Sequence, residues 1–245
     1  MANSKLAELT AYSKLPIELQ YFAIHSVTLV NTPVLFLKNS KAGCTSMTHM
    51  LYESQTGQRY NGVIHEEHST LIQGFEGWKT VEHRRMSNNV FTFSIIRNPT
   101  DRIRSSFIDF FVDRKNPGVQ KLARFVDDFE LANRSRAFQL SAFLAAIEEW
   151  AAMSESTMDR HWRPQCKNLA IDYIQYDFLG RLEELLLWYK QLSDRLRTYG
   201  VALPDRPVKR KSSDADIVLE KDHEQAIARI YTRDFDLYEQ NRMEC

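Results

Sequence analysis

The chain has 245 residues, 43% of them apolar and 11% aromatic, with 32 acidic and 32 basic side chains and a formal charge of zero. That length and composition supply one sizeable core, expected as a single domain over residues 1–245, and exclude a disordered chain. The balance of charge excludes a dedicated nucleic-acid binder and any general attraction for polyanions.

Residues 1–24 read as a peripheral helical segment and 25–30 as a short edge strand. The run Val34, Leu35, Phe36, Leu37 has the length and composition of a buried strand. It breaks into small and polar residues, Asn39, Ser40, Lys41, Ala42 and Gly43, and a helix is expected from Cys44 with Met47, Met50 and Leu51 on one face. Strand, short loop carrying a lysine, then helix is how a backbone builds an anion cradle. Loop amides and the helix N-terminus supply donors and partial positive charge, and the lysine supplies a full one. Thr45 and Ser46 add hydroxyls in the first turn. No Gly-Lys pair occurs, so this is not the nucleotide-binding G-x-x-x-x-G-K-[ST] loop. An ordinary strand-to-helix connection with a surface lysine is the plain alternative. A cysteine phosphatase would need an arginine six residues after Cys44, where Met50 stands, so Cys44 reads as a small loop residue.

Residues 57–62 read as a turn. His65, Glu66, Glu67 and His68 follow as proton acceptors, with a polar surface loop as the plain reading. The H-E-x-x-H zinc motif is excluded because position 69 is Ser69. Residues 90–96 form a second apolar run, closed by Arg97 and turned by Asn98-Pro99, with Thr100 or Asp101 as the expected helix cap. Ile103, Phe107, Phe110 and Phe111 then form a buried stripe. Arg97, Arg102, Arg104 and Ser105 gather at its start, where they suit a phosphate ester or form a solvated basic face.

Helix is expected between 120 and 153, with Leu122, Phe125, Val126 and Phe129 on one stripe and Leu140, Phe143, Leu144 and Ile147 on another. A third parallel strand is expected over 171–178, Gly180 relaxing the chain into a helix over 182–196. A basic loop over 204–213 carries Lys209, Arg210 and Lys211, and a last helix runs over 222–238. Strands alternating with helices predict an α/β three-layer domain with a mainly parallel sheet, its ligands outside the carboxyl ends of the strands.

The two stretches together resemble the PAPS-dependent sulfotransferases, most closely the branch of the Golgi carbohydrate sulfotransferases of chondroitin type. That branch carries P-K-x-G-C-T for the 5′-phosphosulfate and R-[DE]-P-x-x-R-x-x-S for the 3′-phosphate. Here they stand as Ser40-Lys41-Ala42-Gly43-Cys44-Thr45 and Arg97-Asn98-Pro99-Thr100-Asp101-Arg102-Ile103-Arg104-Ser105. Ser40 replaces the proline and Asn98 the acidic residue. Later segments, His161-Trp162-Arg163-Pro164 and Tyr176-Asp177-Phe178-Leu179-Gly180-Arg181-Leu182-Glu183, resemble H-W-x-P and Y-D-x-x-G-x-x-E of the same branch.

The resemblance implies a P-loop-like sulfotransferase fold and transfer of the sulfuryl group of 3′-phosphoadenosine-5′-phosphosulfate (PAPS) to an acceptor hydroxyl, on a carbohydrate, with 3′,5′-adenosine bisphosphate (PAP) as product. Lys41, Ala42, Gly43, Cys44, Thr45 and Ser46 would hold the 5′-phosphosulfate, and Arg97 and Ser105 the 3′-phosphate. Lys209, Arg210 and Lys211 would fold over the nucleotide. Lys41 would neutralise charge on the bridging oxygen, and His65, or failing it His68, would be the general base; Glu66, Glu67 and His161 are rivals. Trp162 would stack on a sugar ring. No metal is expected. A kinase-like phosphotransferase and a nucleotide-binding relative without catalysis are the alternatives.

Cys44, Cys166 and Cys245 are widely spaced, so neither a disulfide framework nor a Cys-x-x-Cys metal site can be read from them. No apolar run reaches the length of a membrane span and the first twenty residues lack a signal-peptide core, so a soluble, cytoplasmic protein without the membrane anchor of the Golgi relatives is expected.

Overall fold

A computed structural model of the chain describes residues 12–67, 69–74, 90–114, 133–207 and 217–243. Its centre is a five-stranded sheet of β1 (Ser26–Leu29), β2 (Val34–Leu37), β3 (Leu71–Gln73), β4 (Phe91–Ile96) and β5 (Phe178–Arg181), in the spatial order β3-β1-β2-β4-β5. β2, β4 and β5 pair in parallel, and β1 runs antiparallel to both β2 and β3, so four of the five strands point the same way. The described helices are α1 (Ile17–His25), α2 (Cys44–Thr56), α3 (Pro99–Phe107), α4 (Arg136–Ser154), α5 (Gln165–Asn168), α6 (Leu185–Arg197), α7 (Lys221–Ile230) and α8 (Thr232–Gln240). The α/β architecture expected from the alternation of elements is the one that forms.

Every residue of β2 and β4 is buried, which is why both read as continuous apolar runs and not as alternation. On one face Phe36 and Phe93, 5.1 Å apart between ring centres, pack under Met47, Met50 and Leu51 of α2 and Trp188, Leu192 and Leu196 of α6. Leu35, Leu37 and Ile96 face the other way, against Phe22, Leu169, Ala170 and Tyr238. A separate core joins α3 to α4 and α7 through Ile103, Phe107, Leu140, Phe143, Ile147 and Ile227. Among the described residues no helix is long and apolar enough to cross a membrane. The expected stripe at Leu122, Phe125, Val126 and Phe129 lies outside the described residues.

Four expectations are corrected. The strand after α1 is not an edge: β1 lies between β2 and β3, and the edge on that side belongs to the three-residue β3. The third parallel strand begins at Phe178, where the apolar run was expected to end. Residues 165–173 instead form α5 and turns, because the buried Asp234 accepts the backbone N–H groups of Gln165 (2.6 Å) and Cys166 (2.9 Å) and starts a helix there. Gly180 does not loosen the chain. It lies inside β5, where a Cβ would stand 2.6 Å from Cε2 of Trp188, so its lack of a side chain lets α6 lie on the strand. The last helix is broken at Tyr231, whose hydroxyl donates to the carbonyl of Trp162 at 2.5 Å.

Candidate active site

The loop after β2 is shaped from below. Asn39, 1% exposed, donates through Nδ2 to the carbonyl of Ile95 (3.0 Å) and to Oε1 of Gln165 (2.8 Å). That anchor lets the loop turn sharply: Lys41 has φ +65° and Gly43 φ +77°, both in the left-handed region. Lys41 is there at a steric cost that L-residues normally avoid, while Gly43 is not. Gly43 is the N-cap of α2 and no side chain among the described residues caps that end, which leaves the first-turn amides of α2 as donors suited to an anion.

At the end of the neighbouring strand, Gln165 holds the backbone of Arg97 from both sides. Its Oε1 accepts the Arg97 N–H (2.9 Å) and its Nε2 donates to the Arg97 carbonyl (2.8 Å). The guanidinium turns to the loop, and Nη1 donates to the carbonyl of Lys41 at 3.1 Å. Its Nε is buried with no hydrogen-bond partner among the described residues, the nearest carboxylate being Oε1 of Glu183 at 3.8 Å. Burial pushes the Arg97 pKa down, against the opposing charges of Asp101 and Glu183. The guanidinium thus has Glu183 as an ion-pair neighbour and still carries one N–H without a hydrogen bond among the described residues. The helix that follows is capped by Asn98, not by Thr100 or Asp101: its Oδ1 accepts from the N–H groups of Thr100 (3.0 Å) and Asp101 (3.4 Å). This gives the departure at position 98 a physical role, since asparagine caps a helix as well as an acidic residue. The Tyr176–Glu183 segment lands beside it. Asp177 closes the start of β4 through the N–H of Thr92 (2.7 Å), and Glu183 accepts the N–H of Asn98 (3.1 Å).

Lys41 Nζ is paired with Asp109, in the π-helical turn Ile108–Val112 that prolongs α3, and lies 5.9 Å from the centre of the Phe110 ring. Arg102 faces inward and is wholly buried. Its Nε donates to the carbonyl of Ser40 (3.0 Å) and Nη2 to the carbonyl of Arg160 (2.9 Å), so it is a strut and not a phosphate ligand. Arg104 pairs with Asp101 at 3.4 Å on the surface, and Ser105 is half-buried on α3. His65 is half-buried in a short turn and hydrogen-bonded through Nε2 to the Thr45 hydroxyl at 3.0 Å, at the start of α2. Glu67 is occupied by the Ser69 hydroxyl and by the backbone N–H groups of Ser69, Thr70 and Leu71, which, against the cost of burial, hold its pKa low. His161 donates from Nδ1 to Oδ1 of Asp159 at 2.6 Å, its ring edge-on to Phe110 with centroids 4.9 Å apart. Burial lowers the His161 pKa, with Asp159 opposing, while hydrogen bonds and charge from His161 hold Asp159 down at about 2 despite its own burial. Trp162 is 3% exposed among Phe110, Phe143 and Trp150, which corrects its expected stacking on a sugar.

The structure thus brings Lys41, Ala42, Gly43, Cys44, Thr45, Ser46 and His65 to one loop and helix start, and joins Arg97 to it through the Lys41 carbonyl. His68, Lys209, Arg210 and Lys211 lie outside the described residues. Among the described residues no group of three or more His, Cys, Asp or Glu side chains could hold a metal ion. Asp109, Gln165 and Glu183 had no assigned role at the nucleotide motifs; their partners stand 68 to 85 positions away in the chain, at separations no local pattern records. Lys38 was also missed: Nζ donates to Oε1 of Gln73 at 3.0 Å, and burial lowers its pKa to about 8.

A mostly parallel sheet with a strand–loop–helix cradle and a half-buried arginine at neighbouring carboxyl ends defines the class, an α/β protein with a site suited to an anionic ligand. Within that class the chain belongs to the Sulfotransferase family, whose sequence profile it matches over residues 27–240, and it is therefore a sulfotransferase. Searches of curated proteins and of solved structures each found no match.

Proposed function

We propose that this sulfotransferase takes its sulfuryl group from PAPS and passes it to an acceptor hydroxyl, on a carbohydrate. The observation that carries the donor assignment is Arg97: a half-buried guanidinium whose buried Nε makes no hydrogen bond among the described residues, tied to the loop that leads into the start of α2, where no described side chain caps the helix. Two anion sites so linked suit one ligand with two separated anionic groups. Lys41 and the amides of residues 43–46 would hold the 5′-phosphosulfate, and Arg97 with Ser105 the 3′-phosphate. When bound, PAPS supplies an activated sulfuryl group with a phosphate leaving group. Lys41 then neutralises charge on the leaving oxygen, a preorganised contribution worth roughly 10²–10³-fold. A histidine takes the acceptor's proton, and the resemblance gives His65 with His68 next. The reading carries a cytoplasmic location, checked by cell fractionation.

Calorimetric titration with PAP, beside ATP with and without magnesium, tests the assignment. Tight binding of PAP and none of ATP is expected. Preference for ATP with a magnesium requirement would point to phosphoryl transfer, and PAP binding without transfer to any acceptor to a binding protein. Lys41→Ala and Arg97→Ala should each cut transfer by roughly 10²-fold or more while leaving the melting curve cooperative.

A further inference from the structure

The segment carrying His161 is bolted to the anion loop. The single guanidinium of Arg102 donates to the carbonyl of Ser40, one residue before Lys41, and to the carbonyl of Arg160, one residue before His161. Ser106 Oγ donates to the His161 carbonyl at 2.6 Å, Asn168 Nδ2 to that of Arg160 at 2.8 Å, and Tyr231 to that of Trp162. Lys41 and His161 also flank one aromatic ring, that of Phe110. Within the imidazole, Asp159 fixes the tautomer. A carboxylate 2.6 Å from Nδ1, accepting also from the His161 backbone N–H at 3.0 Å, places the ring hydrogen on Nδ1 and the lone pair on Nε2.

We infer that His161, oriented by Asp159, is the general base of the transfer reaction, in place of His65. The inference rests on the PAPS reading above. As the acceptor oxygen bonds to sulfur, the bond from sulfur to the 5′-phosphate oxygen breaks. Its electron pair stays on that oxygen beside Lys41, and the hydroxyl proton passes to His161 Nε2. Asp159 is the positioning residue: it holds the ring and stabilises the imidazolium that forms. Charged groups that act on the ring include, among the described residues, Asp159 and Arg160 from its own segment and Lys41 from the loop, the last paired with Asp109 of the π-turn. Burial and the two cations keep the imidazole neutral near pH 7, the form that accepts a proton. His65 sits against a hydroxyl, that of Thr45, which suits holding the start of α2.

The test uses the 245-residue chain and transfer to water, read as PAP released from PAPS, so that no acceptor need be known. His161→Ala should lower the rate at pH 7 by roughly 10²–10⁴-fold, keep its affinity for PAP within about threefold, and regain rate with added imidazole. Asp159→Asn should lose less rate, and the acid limb of the pH–rate profile should disappear in His161→Ala but remain in His65→Ala. Wild-type rate in His161→Ala overturns the inference, as does its loss of PAP binding together with activity, or an acid limb that vanishes only in His65→Ala. Failure of the unaltered protein to bind PAP removes the PAPS reading itself and the inference with it.

Discussion

Replacing Arg102 with methionine should cost more stability than any other change of a single charged residue near the loop. The side chain is wholly buried, spans the carbonyls of Ser40 and Arg160 at 3.0 and 2.9 Å, and lies within electrostatic reach of Asp234, itself 1% exposed. Methionine fills similar volume but removes both donors and the charge. Two carbonyls lose charged donors, and Asp234 keeps the backbone N–H groups of Gln165 and Cys166 and the Cys166 side chain but loses its cation. Removing one partner from a buried charged arrangement costs about 3–5 kcal/mol, the lost hydrogen bonds being part of that figure and not an addition to it. At about 2–4 °C per kcal/mol for a chain of this size, the melting temperature should fall by roughly 6–20 °C. Urea unfolding followed by circular dichroism measures it, with Arg104→Met as the control. Arg104 is a surface partner of Asp101 at 3.4 Å, and its replacement should cost under about 1 kcal/mol. A loss for Arg102→Met no larger than for Arg104→Met would refute the strut.

Gly43→Ala meets both a left-handed backbone and Cδ1 of Leu182 at 2.8 Å. A penalty of about 1–2 kcal/mol and weaker PAP binding are expected, read by thermal melts and titration. Asp109→Asn frees Lys41 from its carboxylate partner, so PAP should bind more tightly in calorimetry; weaker binding would show that Asp109 orients Lys41 and does not compete for it. His25 accepts from Nη1 of Arg160 at 3.0 Å, and burial, with Arg160, Lys38 and Arg163 nearby, depresses its pKa from 6.5 to about 3. The unfolded chain therefore binds the extra proton first, and stability should fall as pH drops from 6.5 toward 3. His25→Gln should flatten that slope in melts across the same window.

The parts of this protein legible in its sequence are those set by local pattern. β2 and β4 are apolar runs because both faces are covered, and the small residues after β2 signal the turn into α2. The buried stripe of Ile103, Phe107, Phe110 and Phe111 follows helical spacing. What was misplaced answers to distant partners. Residues 171–178 have strand composition, yet Asp234 pins the chain just before them into a helix and Trp188 selects Gly180 for the strand. Trp162 is spaced like a binding residue but is claimed by the aromatic core. Arg102 and Arg97 look alike in sequence, and only the fold turns one to the core and the other to the loop.

A crystal structure with PAP bound tests the central claim most directly. The 5′-phosphate should lie on the amides of residues 43–46 beside Lys41, and the 3′-phosphate on Arg97 with its Nε now engaged. A nucleotide bound away from this cleft, or one that leaves Arg97 touching only the Lys41 carbonyl, would contradict the account.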